Sequence, residues 1–112
     1  MKRLLSSDAG GHPLEPYDLT PSDIVSGSPV ASAAELDRLA GVGIGLWELT
    51  EGTVRDTEVD EVFVVLTGDG EVTWEDSSVV RLAPGVVVRL YAGERTTWTI
   101  RSVVRKVYVA VD

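Results

Sequence analysis

The sequence predicts a small all-β domain, and three observations indicate it. From Val42 onward, short runs rich in Val, Thr, Trp and Tyr alternate with breaks that contain Gly, Pro or Asp. The breaks recur about every 8–12 residues, which is typical of a compact antiparallel sandwich or barrel. No segment carries the apolar period of an α-helix of normal length. With 112 residues, the chain has room for one domain and one core.

Residues 1–41 are predicted to form an N-terminal arm rich in Pro, Gly and Ser, and residues 42–112 the barrel domain. Prolines interrupt helices and central strands, so only short edge strands are expected in the arm, around Leu14–Tyr17 and Asp23–Val25. One helical turn is predicted at Ala33–Leu39. Ser32 as N-cap and Glu35 at the third helical position form a capping-box pattern there.

The barrel strands follow from the alternation and from the turns between them. Thr96, Trp98 and Ile100 share one face of a strand, whereas Thr97 and Thr99 share the other, as in a half-buried strand. The predicted strands lie at 43–50, 53–58, 61–67, 70–75, 79–82, 86–91, 96–101 and 104–111.

Three of these runs, Val62–Leu66, Val86–Val88 and Val107–Val111, are apolar on both faces. A strand with one face in water does not need this pattern. We therefore expect either the arm or a second subunit to cover the outer face, and a homodimer would also stabilise so short a chain.

Charge and composition exclude several classes of function. Ten basic and eighteen acidic residues give a net charge of −8, which disfavours nucleic acid as a partner. There is no cysteine, hence no disulfide or thiolate site. The start Met1–Leu5 turns polar too soon for a signal peptide, and no run is long enough for a membrane span. We expect a cytoplasmic protein without membrane contact.

Basic residues gather in the last quarter of the chain. A solvated strand face that balances nearby carboxylates is the preferred interpretation, and a local anion site is the alternative. These residues are Arg89, Arg95, Arg101, Arg105 and Lys106.

Four segments together resemble the signature of the cupin superfamily. They are Glu61–Gly68, Gly68–Gly70, Leu82–Gly85 and Tyr91–Gly93. Within cupins, further segments are similar to small proteins of unknown function grouped with the ethanolamine-utilisation Q-type proteins. These are Gly45–Glu48, Thr50–Gly52, Asp60–Glu61, Thr97–Thr99 and Arg105–Tyr108. The resemblance implies an RmlC-like jelly-roll cupin barrel, often homodimeric.

The chain departs from the cupin pattern at the metal ligands. The positions of the three expected histidines are assigned to Arg55, Thr57 and Thr96, so that only Glu61 remains. The single histidine, His12, lies in the arm. A transition metal needs several converging donors, so no metal and no other cofactor is expected.

If the resemblance holds, Arg55, Thr57, Glu61, Thr96 and Trp98 point into the barrel. Two interpretations of Arg55 and Glu61 stay open. They could pair as structural filling, or Arg55 could bind a carboxylate or phosphate while Glu61 acts as acceptor or general base.

Two aromatic residues, Trp98 and Tyr91, complete the candidate ligand site. Trp98 is the best ligand-facing ring, because it lies two residues beyond Thr96 on the same face. Tyr91 and Tyr108 are candidate proton donors.

Three functions follow from this interior. The first is a metal-free barrel that binds a small polar or anionic metabolite. The alternative is a metal-independent isomerase, lyase or amidohydrolase on a small carboxylate or sugar-type metabolite, with Glu61 as base and Tyr91 or Tyr108 as acid. The third is a structural dimer whose barrel is filled by Phe63 and Trp98.

Overall fold

The computed structural model describes residues 1–111, which form nine β-strands and one 3-10 turn, Pro21–Asp23. All nine strands belong to one continuous antiparallel sheet. The strands are β1 Glu15–Tyr17, β2 Ile24–Ser26, β3 Ala31–Leu39, β4 Val42–Leu49, β5 Gly52–Thr57, β6 Glu61–Trp74, β7 Val79–Leu82, β8 Val87–Leu90 and β9 Arg95–Val111.

Two long strands, β6 and β9, run antiparallel and join the two halves of the sheet. The first part of β9 pairs with β5 and the last part with β4. The first part of β6 pairs with β8 and its last part with β7. Strands β3 and β1 extend the sheet beyond β4, and β2 extends it beyond β5.

The sheet bends where β6 and β9 cross from one half to the other. The β6–β9 register shifts between Val65 and Gly70, as at a β-bulge. Gly68 lies at this bend with φ +108°, and a Cβ on it would overlap the carbonyl oxygen of Val103. Only glycine fits both the backbone conformation and the close approach of β9.

One hydrophobic core lies between the two halves. Leu49, Phe63 and Leu90 come from one half, and Val72 and Trp98 from the other, in a single buried cluster. The Phe63 and Trp98 rings lie 5.6 Å apart. The sheet is therefore rolled around its core, as predicted for a jelly-roll barrel.

The predicted helical turn at Ala33–Leu39 is wrong. These residues belong to β3, which pairs along its length with β4. Ser32 is buried opposite Glu48 and does not cap a helix. The segment is rich in helix formers, but its backbone hydrogen bonds with β4 override this local propensity.

Most other strand predictions agree with the structure, but two pairs merge. The predicted strands 61–67 and 70–75 are both part of β6, and 96–101 and 104–111 are both part of β9. The edge strands predicted in the arm are β1 and β2.

Residues before β1 contact the outer face of β4 and β9. The Arg105 guanidinium donates to the carbonyl oxygens of Ala9 and His12 and pairs with the Glu48 carboxylate. No helix in residues 1–111 is long and apolar enough to cross a membrane.

Candidate functional site

A cavity of about 350 Å³ opens on the inner side of the sheet. We call it the barrel cavity. Strands β1, β4 and β9 and the segment after β5 contribute its walls. The residues that carry its chemistry are Tyr17, Trp47, Glu58, Trp98, Lys106 and Tyr108, together with Glu61.

The Lys106 ammonium lies at the centre of this site. Its Nζ is 2.6 Å from Glu61 Oε2, and both side chains are largely buried. The same atom lies 4.5 Å from the ring centroid of Trp47, 4.4 Å from Phe63 and 4.8 Å from Trp98. Three aromatic rings and one carboxylate thus surround the ammonium group and replace the water that would otherwise solvate it.

Register explains why Lys106 points inward. It is paired with Trp47 on β4 and with Val65 on β6, and the Val65 side chain is buried. Directly paired residues of neighbouring strands share a face of the sheet. Lys106 therefore shares the inner face with Val65 and Trp47.

Glu58 is the second buried charge-bearing group. Its Oε2 accepts hydrogen bonds from the Thr96 hydroxyl at 2.8 Å and the Trp98 indole N–H at 3.1 Å. Burial, followed by the nearby Asp56 carboxylate, raises the pKa of Glu58 to about 7.

Asp56 and Tyr17 flank Glu58 at the mouth of the cavity. Burial raises the pKa of Asp56, although a hydrogen bond with Glu58 acts in the opposite direction. Burial also raises the pKa of Tyr17, whose hydroxyl accepts a hydrogen bond from the Trp47 indole N–H at 2.8 Å. The phenol therefore stays protonated at neutral pH.

Gly45 makes room for the Tyr108 phenol. The two residues are directly paired across β4 and β9. A Cβ at Gly45 would lie 2.5 Å from the Tyr108 hydroxyl oxygen and 2.6 Å from the Ala34 carbonyl oxygen. A side chain at position 45 would therefore displace the tyrosine from the wall of the cavity.

The structure brings together four of the six predicted site residues. Glu61 and Trp98 line the cavity, and buried Thr96 holds Glu58. Thr57 is exposed at the cavity mouth. Tyr91 is exposed elsewhere, with its ring under the Arg89 guanidinium at 4.0 Å.

Arg55 does not point into the barrel, so that expectation is wrong. It is exposed and paired with Thr97, whereas its neighbours Val54 and Asp56 are paired with the inward-facing Trp98 and Thr96. A shift of one residue along a strand moves every side chain to the other face. The carboxylate of Glu61 pairs with Lys106 in place of Arg55.

The sequence interpretation missed Tyr17, Trp47, Glu58 and Lys106 as site residues. One signal was available for the face of β5. Val54 is the apolar residue in its stretch, and an apolar residue predicts the inner face. Lys106 and Tyr17 gave no local signal, because they reach the site through pairing between distant strands.

The donor set does not fit the transition metal that the cupin fold implies. The inward positions of β5 hold Val54 and Asp56, and Thr96 donates to Glu58. The Glu61 carboxylate already neutralises an ammonium, which would repel a divalent ion. Within residues 1–111, no three His, Asp or Glu side chains form a group that could hold a metal ion.

Comparison with known proteins identifies the family. The family model described as the EutQ-like cupin domain matches residues 36–108. No curated protein matches the sequence. Solved structures confirm the predicted jelly-roll cupin fold, and three of them illustrate the likeness.

The EutQ protein of Clostridium difficile is 22% identical, with 85% of this chain and 80% of that chain covered and a TM-score of 0.67. A putative ethanolamine utilization protein Q of Salmonella typhimurium is 21% identical, with 72% and 68% covered and a TM-score of 0.64. A Pseudomonas syringae protein of unknown function from the DUF861 family is 24% identical, with a TM-score of 0.77. That match covers 88% of this chain and 44% of the longer Pseudomonas protein.

Proposed function

This chain belongs to the EutQ-like cupin domain family, and we propose that it binds a small polar metabolite in the barrel cavity without a metal. The observation that carries the proposal is the cavity itself. Its volume of about 350 Å³ suits a small molecule, and aromatic walls surround a few convergent polar groups. Phe63 and Trp98 leave this space open, which argues against a barrel filled only by its own side chains.

The polar groups favour a ligand that donates hydrogen bonds. Glu58 and Asp56 present carboxyl oxygens, and Tyr17 presents a phenol. Lys106 is the cation among the lining residues, and Glu61 already neutralises it. Since Arg55 points outward, hydroxyl or amine groups fit this cavity better than the anion first considered. Trp47 and Trp98 offer flat apolar faces for the ligand's carbon skeleton.

A thermal-shift screen with polyols, sugars and small amines tests this proposal. A ligand of the cavity raises the melting temperature of the wild-type protein, because binding to the native state alone stabilises it. Tyr17→Phe removes a hydroxyl at the cavity and weakens the shift, whereas Tyr91→Phe removes an exposed hydroxyl elsewhere and leaves it unchanged. If no compound stabilises the protein, or if both variants respond as the wild type does, the proposal fails.

A second candidate function is general acid–base catalysis on the same ligand class. The observation that favours it is Glu58, whose pKa of about 7 lets it exchange a proton near neutral pH. The Glu61 carboxylate is engaged in an ion pair with Lys106, so Glu58 replaces it as the candidate base. Tyr17 or Tyr108 would supply the second proton, in place of the distant Tyr91.

Turnover of a ligand found in the screen tests this second function. Glu58→Gln keeps the acceptor for Thr96 and Trp98 but cannot exchange a proton. Catalysis predicts that the variant binds the ligand and loses turnover. A pure binding protein shows no turnover in either form.

We also propose that a second copy of the chain covers the outer face of β4, β6, β8 and β9. Five exposed valines occupy neighbouring positions on these paired strands and form one apolar patch. They are Val62, Val64, Val87, Val109 and Val111. The arm does not cover them. Asp60 and Arg89 form an ion pair at 3.3 Å beside this face. Two-fold association would bury the valines.

A further inference from the structure

A second cavity, of about 470 Å³, lies where β5, β6 and β9 meet near the 3-10 turn. We call it the strand-end cavity. Arg55 and Arg95 line it together with Trp74, and Asp56 and Glu75 lie in the same wall. It is separate from the barrel cavity, although Asp56 and Thr57 contribute to both.

Register places the two arginines side by side. Arg55 of β5 is paired with Thr97 of β9, and Arg95 of β9 is paired with Thr57 of β5. The arginines are therefore diagonal neighbours on one face of an antiparallel pair. Diagonal Cβ atoms lie about 7–8 Å apart, and two guanidinium groups at that spacing can reach one anion.

Both arginines lack a partner, which is unusual in this acidic chain. Neither forms a hydrogen bond or an ion pair within residues 1–111. By contrast, five other arginines each lie within 3.4 Å of a carboxylate oxygen. These are Arg38, Arg81, Arg89, Arg101 and Arg105. Carboxylates are present in the same cavity, yet they are not within ion-pair distance of Arg55 or Arg95.

Trp74 also lines this cavity. Its Nε1 is buried without a hydrogen-bond partner in the described part of the chain. The other two indole N–H groups have acceptors, since Trp47 donates to Tyr17 and Trp98 to Glu58. Because this atom is shielded from solvent, it does not face the open cavity, and the site rests on the two arginines.

We infer that the strand-end cavity binds a small metabolite with a carboxylate or phosphate group at one end and a hydroxyl or ammonium donor at the other. Arg55 and Arg95 hold the oxyanion from two sides. Asp56 and Glu75 accept hydrogen bonds from the donor end and disfavour a ligand that carries only negative charge. The two cavities share Asp56, but Arg55 and Arg95, which hold the oxyanion, do not line the barrel cavity.

Titration of the ¹⁵N-labelled protein tests the inference. The probes are inorganic phosphate, acetate and glycine, each added separately at constant ionic strength. We expect resonances of the Trp74 indole and of residues 55–57 and 95–97 to shift with saturation. Comparison of the affinities for phosphate and acetate shows whether the site prefers a phosphate or a carboxylate group. Glycine differs from acetate by an ammonium group, so it binds more tightly if the carboxylates take part.

Two arginine variants test the site, and a third is the control. Arg55→Gln and Arg95→Gln each weaken binding by about tenfold or more, since a hydrogen bond to a charged group contributes roughly 1.5–3 kcal/mol. Arg3→Gln removes the same charge at an exposed N-terminal position and leaves the affinity unchanged. All three substitutions alter exposed side chains, and their melting temperatures confirm folding.

Two results would overturn the inference. One is the absence of saturable shifts with all three probes at millimolar concentration. The other is an equal loss of affinity in Arg3→Gln and Arg55→Gln, which would show only attraction by overall charge. If acetate binds at least as tightly as glycine, the assignment of the donor end to Asp56 and Glu75 is wrong.

Discussion

Lys106 and Glu61 form a buried ion pair, with Nζ 2.6 Å from Oε2 and side chains 6% and 10% exposed. Glu61 is the residue that the cupin resemblance assigns to a metal site. In this chain the positive charge beside it belongs to the protein itself. Three aromatic rings around Lys106 keep water from the pair and fix its position.

Removal of Lys106 tests how strongly this pair stabilises the fold. We expect Lys106→Met to lower the free energy of unfolding by about 3 kcal/mol or more, because it leaves the Glu61 charge buried without a partner. Addition of Glu61→Gln to Lys106→Met should recover much of that loss. Urea unfolding at pH 7 of the wild type, both single variants and the double variant measures this. Additive losses would show that the two side chains act independently.

Glu58 predicts an unusual dependence of stability on pH. Its pKa in the folded state, about 7, lies above the ordinary value of 4.5. The folded protein therefore binds the proton more tightly than the unfolded chain. The stability that protonated Glu58 contributes is complete below pH 4.5 and is lost as pH rises through 7.

The variant Glu58→Gln removes this titration together with its effect on the neighbouring Asp56. We expect it to gain roughly 2–3 kcal/mol relative to the wild type between pH 4.5 and pH 8, because each pKa unit corresponds to about 1.4 kcal/mol. The measurement is the difference in unfolding free energy between the two proteins across that range. A difference that stays constant with pH would show that Glu58 titrates normally.

Sequence reasoning predicted the strands well because turn-forming residues stand at their ends. Strand β7 was expected at 79–82 and lies at Val79–Leu82, between Asp76–Ser78 and the Pro84–Gly85 corner. Such turn residues act within a few positions of the chain. The helical turn at Ala33–Leu39 failed because its local signal competed with pairing to β4, which lies later in the chain.

The site was harder to predict than the fold for the same physical reason. Alternation shows which residues of β5 share a face, but a shift of one residue exchanges the faces of Arg55 and Asp56. The ion pair of Lys106 with Glu61 joins residues 45 positions apart. Composition alone does not show that Arg105 and Lys106 are the buried basic residues in the last quarter.

Gly68 and Gly85 provide a matched test of the bend in the sheet. Both have positive φ, +108° and +90°, but a Cβ at Gly85 meets open space whereas one at Gly68 overlaps the Val103 carbonyl. We expect Gly85→Ala to cost about 1 kcal/mol from backbone strain. Gly68→Ala should cost about 3 kcal/mol or more, since a steric overlap adds to that strain. Equal losses in chemical denaturation would contradict the close approach of β6 and β9.

Arg105 is predicted to hold the N-terminal residues against the barrel. Arg105→Gln removes a buried cation that bonds the Ala9 and His12 carbonyls, and we expect a loss of about 2 kcal/mol. Amide hydrogen exchange should accelerate in residues 1–12. Arg101→Gln is the control, because its ion pairs with Asp69 and Glu71 are exposed and contribute little. Unchanged exchange in Arg105→Gln would show that the arm is held by other contacts.

A single charged substitution on the outer valine face tests the proposed dimer. Val62 lies in the middle of this face, paired with Val109 on β9 and flanked along β6 by Val64. A lysine there would have to be desolvated in the dimer, so we expect Val62→Lys to be monomeric while the wild type is dimeric. Val79 is also exposed but lies on β7, at the other end of β6, and Val79→Lys should remain dimeric. Sedimentation velocity distinguishes the two states. A monomeric wild type, or a dimeric Val62→Lys, would show that these valines do not form the interface.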